Sequence, residues 1–267
     1  MEQILKAKAI DKKFGSVYAC NNLSIELYTG EVVGIVGESG SGKSTLLNCL
    51  SGSLVPDGGN ITYLDRDNNW LDLLSLPEPR KRNLLRTEWA FVHQNPRDGL
   101  RMAVSAGGNI GERLMAIGYR NYSQIRAEAT EWIEKVEIDA IRLDDKPSIF
   151  SGGMQQRLQI AKNLITKPRL IFMDEPTGGL DVSVQARLLD LIRSLVRELG
   201  LSVIIVTHDL AVARFMANRL IVMKNGKIVE TGLTDQVLDD PQHSYTQLLV
   251  SSILKAVSYT HLTLPTK

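Results

Sequence analysis

The residues with the most evident chemistry lie in one short run, Gly37-Glu38-Ser39-Gly40-Ser41-Gly42-Lys43-Ser44-Thr45. The spacing is G-x-x-x-x-G-K-[ST], in which glycines let successive backbone N–H groups turn inward around phosphate oxygens. The N-terminus of the following helix adds its own partial positive charge. Lys43 is expected to reach the β- and γ-phosphates, and the Ser44 hydroxyl to hold Mg²⁺. A second run, Leu170-Ile171-Phe172-Met173-Asp174-Glu175, is apolar and ends in two carboxylates. Asp174 suits a Mg²⁺ ligand, direct or through water, and Glu175 a group that accepts a proton from an attacking water. Together the runs point to hydrolysis of a nucleoside triphosphate.

Both runs need a scaffold that delivers them to one place. Val32–Val36, Leu170–Met173 and Val203–Val206 are nearly continuous apolar stretches, the pattern of strands buried on both faces of a parallel sheet. Helical patterns follow at Lys43–Leu50, Val182–Leu199 and Leu210–Ala217. The alternation implies an α/β fold with a mostly parallel sheet. Short strands near 4–10, 23–28, 219–223 and 227–230 are expected to make an antiparallel β edge. Residues of about 95–166 read as a helical subdomain inserted into an α/β core of about 1–94 and 167–240, with a helical segment at 241–255. Residues 257–267 break the preceding helical pattern and read as a non-native tail.

With 267 residues, 43% of them hydrophobic, one large domain can bury a sizeable core. The net charge of +1 offers no general attraction to nucleic acid or acidic lipid. Arg80-Lys81-Arg82 with Arg86 is the one basic cluster of note, and it reads as a solvated helical face rather than a nucleic-acid site. Cys20 and Cys49 lack metal or redox spacing. No apolar run approaches the roughly 18–20 residues of a membrane span, so no direct membrane insertion is expected, and the N-terminus lacks a signal-peptide profile. The expected location is cytoplasmic.

Ser151-Gly152-Gly153-Met154-Gln155-Gln156-Arg157, shortly before the acidic strand, resembles the signature motif of ABC ATPases. Physically it is a Ser-Gly-Gly turn opening a helix, a second anion-binding terminus. The P-loop NTPase fold of that family is therefore expected, with ATP as nucleotide. The resemblance implies a homodimer in the ATP state, in which Ser151, Gly152 and Gly153 of one copy cap the γ-phosphate held by the other. Phe150 and Met154 depart from the family's usual Leu and Gln. Further roles are implied by the same resemblance: Gln94 as sensor of Mg²⁺ and water, Asp181 within a dimer-contacting loop, and His208 beside the γ-phosphate. Phe14 is placed like the aromatic residue that stacks on adenine, with Tyr18 as its rival.

Within the family, the chain is similar to the ATP-binding subunits of carbon–phosphorus lyase systems. Asn95–Arg101, Val104–Met115 and Met154–Arg187 carry this likeness. It implies soluble lyase core subunits as partners, a second ABC subunit of the same system as a further one, and phosphonate breakdown as the process served. Charged Arg97, Asp98 and Arg101 fit a polar docking surface. The alternative is an oligopeptide/dipeptide-type importer subunit, which Asp240–Leu249 resembles.

Overall fold

The computed structural model describes residues 2–260. The chain opens with β1 (Gln3–Phe14), β2 (Val17–Tyr28) and β3 (Val32–Val36), then α1 (Lys43–Leu50), β4 (Gly58–Leu64), β5 (Trp70–Asp72), α2 (Glu78–Thr87) and β6 (Trp89–Val92). Only helices follow before the next strand: α3 (Pro96–Gly99), α4 (Ala106–Ala116), α5 (Tyr122–Lys135), 3₁₀ turns at Ala140–Asp144 and Pro147–Ile149, and α6 (Gly152–Leu164). The remainder is β7 (Leu170–Asp174), α7 (Val182–Leu199), β8 (Ser202–Thr207), α8 (Leu210–Met216), β9 (Arg219–Lys224), β10 (Lys227–Leu233), α9 (Thr234–Asp239) and α10 (Ser244–Thr260).

Two sheets form. One runs β10-β9-β3-β8-β7-β6, parallel except for β10, which pairs antiparallel with β9. The other runs β2-β1-β4-β5 and is antiparallel. The apolar runs behave as parallel strands buried on both faces should. In β3, Val33 and Ile35 join the core shared with α1 and the antiparallel sheet, while Val32 and Val36 join the core shared with the helices. β7 and β8 divide their residues in the same way. Trp89 links the layers, edge-on to Tyr63 at 5.0 Å and to Phe172 at 5.2 Å. Cys20 and Cys49 are buried in the inter-sheet core and unbonded.

The antiparallel edge differs from the expectation. Strands 219–223 and 227–230 do not join the N-terminal hairpin; β9 lies in the parallel sheet beside β3, and β10 extends that sheet. The hairpin instead pairs with β4, whose Ile61 and Tyr63 point into the core while Gly59 and Asn60 are exposed. Helix α10 runs to Thr260, a few residues into the segment expected to break the helical pattern, and 261–267 lie outside the described residues. No helix among the described residues is long and apolar enough to cross a membrane.

Candidate functional site

Parallel strands all end at the same edge of a sheet, and here that geometry gathers residues far apart in sequence. β3 leads into the Gly37–Gly42 loop, β8 into His208, β7 into Asp174 and Glu175, and β6 into Gln94. Since the strands lie in the order β3-β8-β7-β6, the loop, His208, the carboxylates and Gln94 stand side by side. This is the carboxyl edge at which open α/β sheets bind ligands.

The loop needs its glycines for space as well as for backbone angle. Gly37 (φ +149°) and Gly42 (φ +101°) adopt conformations that L side chains avoid. A Cβ at Gly37 would run into the Met223 carbonyl oxygen, and one at Gly42 into that of Ala19. Gly42 opens α1, and no side chain caps that helix N-terminus. The buried Ser41 Oγ has no hydrogen-bond partner among the described residues. Lys43 is buried, and its ammonium donates to the Gly37 and Glu38 carbonyls at 2.8 Å each. Burial pulls its pKa below the ordinary lysine value, offset by the charges of Glu175, Asp174 and Glu38. The loop thus has the free donors and the one cation that a chain of phosphates would satisfy.

Across the cleft, Ser44 Oγ donates to Asp174 Oδ1 at 3.0 Å. Burial raises the Asp174 pKa, the Ser44 hydrogen bond works against that, and the Glu175 charge adds to it. Glu175 is held from both sides: its Oε1 lies 2.9 Å from His208 Nδ1, and Gln94 Nε2 donates to its Oε2 at 3.3 Å. Its backbone sits at φ +42°, a left-handed conformation costly for a residue with a side chain. The Glu175 N–H donates to Val206 O at 2.9 Å, which helps hold the strained backbone in place. Together with Val17, Ala19 and Leu249, the loop, Gln94, Glu175 and His208 line a cavity of about 640 Å³, a size that suits a small-molecule ligand.

No cluster of three or more His, Cys, Asp or Glu suited to a metal occurs among the described residues. The oxygen donors at the cleft are Ser44, Asp174, Glu175 and the Gln94 carboxamide. Hard oxygen ligands in small number fit magnesium, which keeps waters and takes phosphate oxygens for the rest of its shell.

The structure does not bring every expected residue to this cavity. Gly37, Ser39, Gly40, Gly42, Lys43, Ser44, Thr45, Gln94, Glu175 and His208 line it. Asp174 stands behind Ser44, and Ser41 is buried beneath the loop. Phe14 and Tyr18 lie exposed near the β1–β2 turn, each under a lysine ammonium, while Val17 and Ala19 supply the wall. Ser151, Gly152 and Gly153 lie elsewhere. Ser151 caps α6 by accepting from Met154 N at 3.3 Å, and Gly153 is buried against Val184, so only Ser151 and Gly152 present a surface. Asp181 caps α7, accepting from Val184 N at 2.9 Å and from the Ser183 hydroxyl at 2.8 Å. The Val184 N–H and then the Ser183 hydroxyl lower its pKa. Sequence reasoning did not place Val17, Ala19 or Leu249 at the site, because apolar wall residues carry no motif signal.

Comparison with known proteins adds four findings. The sequence profile of a family described as ABC transporter matches residues 20–178. The chain is 65% identical over 235 residues to the putative phosphonates utilization ATP-binding protein PhnK of Escherichia coli, covering 88% of this chain and 91% of that protein. It is 37% identical over 236 residues to the dipeptide transport ATP-binding protein DppF of Escherichia coli, covering 88% and 69%. Among solved structures, the dimeric post-hydrolysis state of the ATP-binding cassette MJ0796 bound to ADP and Pi superposes with a TM-score of 0.77. Its identity is 32%, over 86% of this chain and 99% of that one.

Proposed function

This chain belongs to the ABC transporter family, and from that premise we propose that it is a magnesium-dependent ATPase subunit whose dimer acts on the soluble core of a carbon–phosphorus lyase system. The observation that carries the ATPase reading is the row of loop, His208, Glu175 and Gln94 along one sheet edge, with Glu175 held between two side chains. The similarity to a phosphonates utilization protein over most of both chains supports the choice of system.

The roles follow from placement. The loop N–H groups and Lys43 bind the phosphates. Ser44, with Asp174 behind it and Gln94 beside it, would hold magnesium, which when bound offsets charge on the β- and γ-phosphate oxygens. Glu175 orients the attacking water and takes its proton, and its strained backbone and two side-chain contacts fix the carboxylate for that task. His208 and Lys43 face the γ-phosphate and offset charge that builds in the transition state. One wall of the site comes from the β1–β2 hairpin, beside which Phe14 can serve the adenine. Ser151 and Gly152 are exposed and line no part of their own chain's cavity. A head-to-tail dimer would bring them, with Gly153 and the Asp181 loop, over the nucleotide of the other copy. The ATP-driven closing and opening of that dimer would remodel the lyase core in the cytoplasm, alongside a second ABC subunit of the same system.

The similarity to a dipeptide transport protein and the Asp240–Leu249 segment favour a second reading, an importer subunit that docks on membrane permeases. Affinity capture with a tagged Glu175→Gln variant, ATP and Mg²⁺ separates the two. Recovery of carbon–phosphorus lyase core subunits is the expected result. Recovery of permease subunits instead would overturn the lyase assignment and leave the nucleotide chemistry standing.

A further inference from the structure

Helix α10 reaches the phosphate loop. Tyr245, one residue into that helix, is 3% exposed, and its hydroxyl oxygen accepts the Glu38 N–H at 3.0 Å. Glu38 N–H belongs to the Gly37–Glu38 peptide, and the carbonyl of that same peptide accepts the Lys43 ammonium at 2.8 Å. One peptide plane is therefore held at both ends, by Tyr245 on its N–H and by Lys43 on its C=O. A peptide polarised at one end accepts more strongly at the other. Gly37 at φ +149° leaves the plane little intrinsic preference, so an external contact has to choose its orientation.

The tyrosine is itself fixed. The Lys224 ammonium lies 4.5 Å from its ring centroid. Its backbone N–H donates to His243 Nδ1 at 3.1 Å. The Glu230 carboxylate accepts the Gln242 and His243 N–H groups at 2.8 and 3.0 Å, pinning the approach to α10 on β10. One turn further along, Leu249 lines the same cavity as the loop. The Asp240–Leu249 run, which carried only a resemblance in the sequence, thus has a physical task.

We propose that Tyr245 is a positioning residue for nucleotide binding: its hydroxyl sets the Gly37–Glu38 peptide, and through it Lys43, in the phosphate-ready arrangement. The inference rests on the ATPase reading of the cleft. A loop released from Tyr245 samples other arrangements, and each fraction of time spent in them weakens apparent affinity in proportion. Bound ATP at saturation itself selects the phosphate-ready arrangement, Lys43 included, so turnover at saturation changes far less than affinity.

The test compares the full-length wild type with Tyr245→Phe, which keeps the ring and its contact with Lys224. Titration calorimetry with MgADP is expected to show binding about three- to tenfold weaker, the range of one hydrogen bond lost at a partly buried donor. KM for ATP rises alike and kcat stays within about twofold. Leu248→Ala, on the exposed face of the same helix, is expected to bind as wild type does. A purely structural role for Tyr245 would instead lower melting temperature and active fraction at constant affinity. Unchanged MgADP affinity in folded Tyr245→Phe overturns the inference. So does rapid solvent exchange of the Glu38 amide in the wild type, a readout that needs no variant. Lys43→Ala guards the premise: if it binds MgADP as tightly as wild type, the ATPase reading itself fails. If Lys43→Ala loses binding while Tyr245→Phe keeps it, only the role of Tyr245 fails.

Discussion

Asp174 shows how a residue suited to function weakens the fold that carries it. Its carboxylate is half-buried beside Glu175, and that burial raises its pKa above the ordinary 3.8. Raised folded pKa means that the folded state binds the proton more tightly than the unfolded chain. The associated stability is complete below the unfolded pKa and is lost as pH rises through the folded one. At neutral pH the ionised group therefore costs stability, and Asp174→Asn should recover it. Thermal melts of the ligand-free protein are expected to show the variant about 2–4 °C above wild type at pH 7. The gain should shrink as pH falls through the folded value and vanish below the unfolded one, about 3.9. An equal gain at both pH values would mean that burial of charge is not the cause. The chemistry-bearing side chains were the most legible part of the site, because phosphate and water activation demand particular groups at particular spacing. Lys43, Ser44, Asp174 and Glu175 stood out in the sequence for that reason. Val17, Ala19 and Leu249 are walls, and a wall can be made from many residues. Tyr245 acts through a backbone N–H, which no sequence pattern displays.

At the scale of elements, strands buried on both faces were legible and partly exposed ones were not. β3, β7 and β8 read as strands because every face they show is apolar. β4 and β5 escaped notice because β4 opens on Gly58-Gly59-Asn60, which show no apolar alternation, and β5 is an edge strand of three residues. α2 has one buried residue, Leu84, so no apolar stripe marks it, and only the charges of Arg80–Arg86 let it read as a solvated helical face. Placing β9 and β10 with the N-terminal hairpin failed for another reason: local pattern identifies a strand but not its sheet. Gly34 shows what fixes the β3 position. A Cβ there would sit 2.7 Å from Leu220 Cδ2 and 3.0 Å from the Ala217 Cβ, so the strand packs backbone-close against β9 and the end of α8. Gly34→Val should therefore destabilise by about 1–3 kcal/mol through overpacking, despite the high strand propensity of valine. Urea unfolding would show this as a lower midpoint with unchanged slope. A midpoint at or above wild type would mean the sheet shifts freely to accept the side chain.

At the scale of the whole molecule, the cavity and the Ser151–Gly153 turn are separate surfaces of one chain, so the proposed catalysis needs two copies. Nucleotide would join them, since each bound triphosphate would touch the loop of one copy and the turn of the other. Hydrolysis would remove the γ-phosphate contact and release the pair, and only the differential affinity of the closed state for ATP over ADP can drive that cycle. A polar segment at Arg97, Asp98 and Arg101, all three exposed before α4, offers the surface through which the cycle would reach a partner. Gly152 is the best place to break the dimer without breaking the fold. It is exposed, and a Cβ there meets only Leu180 Cδ2 at an ordinary 3.6 Å. The most direct measurement is the solution mass, by light scattering, of Glu175→Gln with and without MgATP, alone and combined with Gly152→Glu. The account predicts a 29.6 kDa particle without nucleotide, twice that mass for Glu175→Gln with MgATP, and the single-chain mass again when Gly152→Glu is added although ATP is still bound. A Glu175→Gln protein that stays monomeric when saturated with MgATP, or a dimer indifferent to Gly152→Glu, would contradict a site shared between two copies.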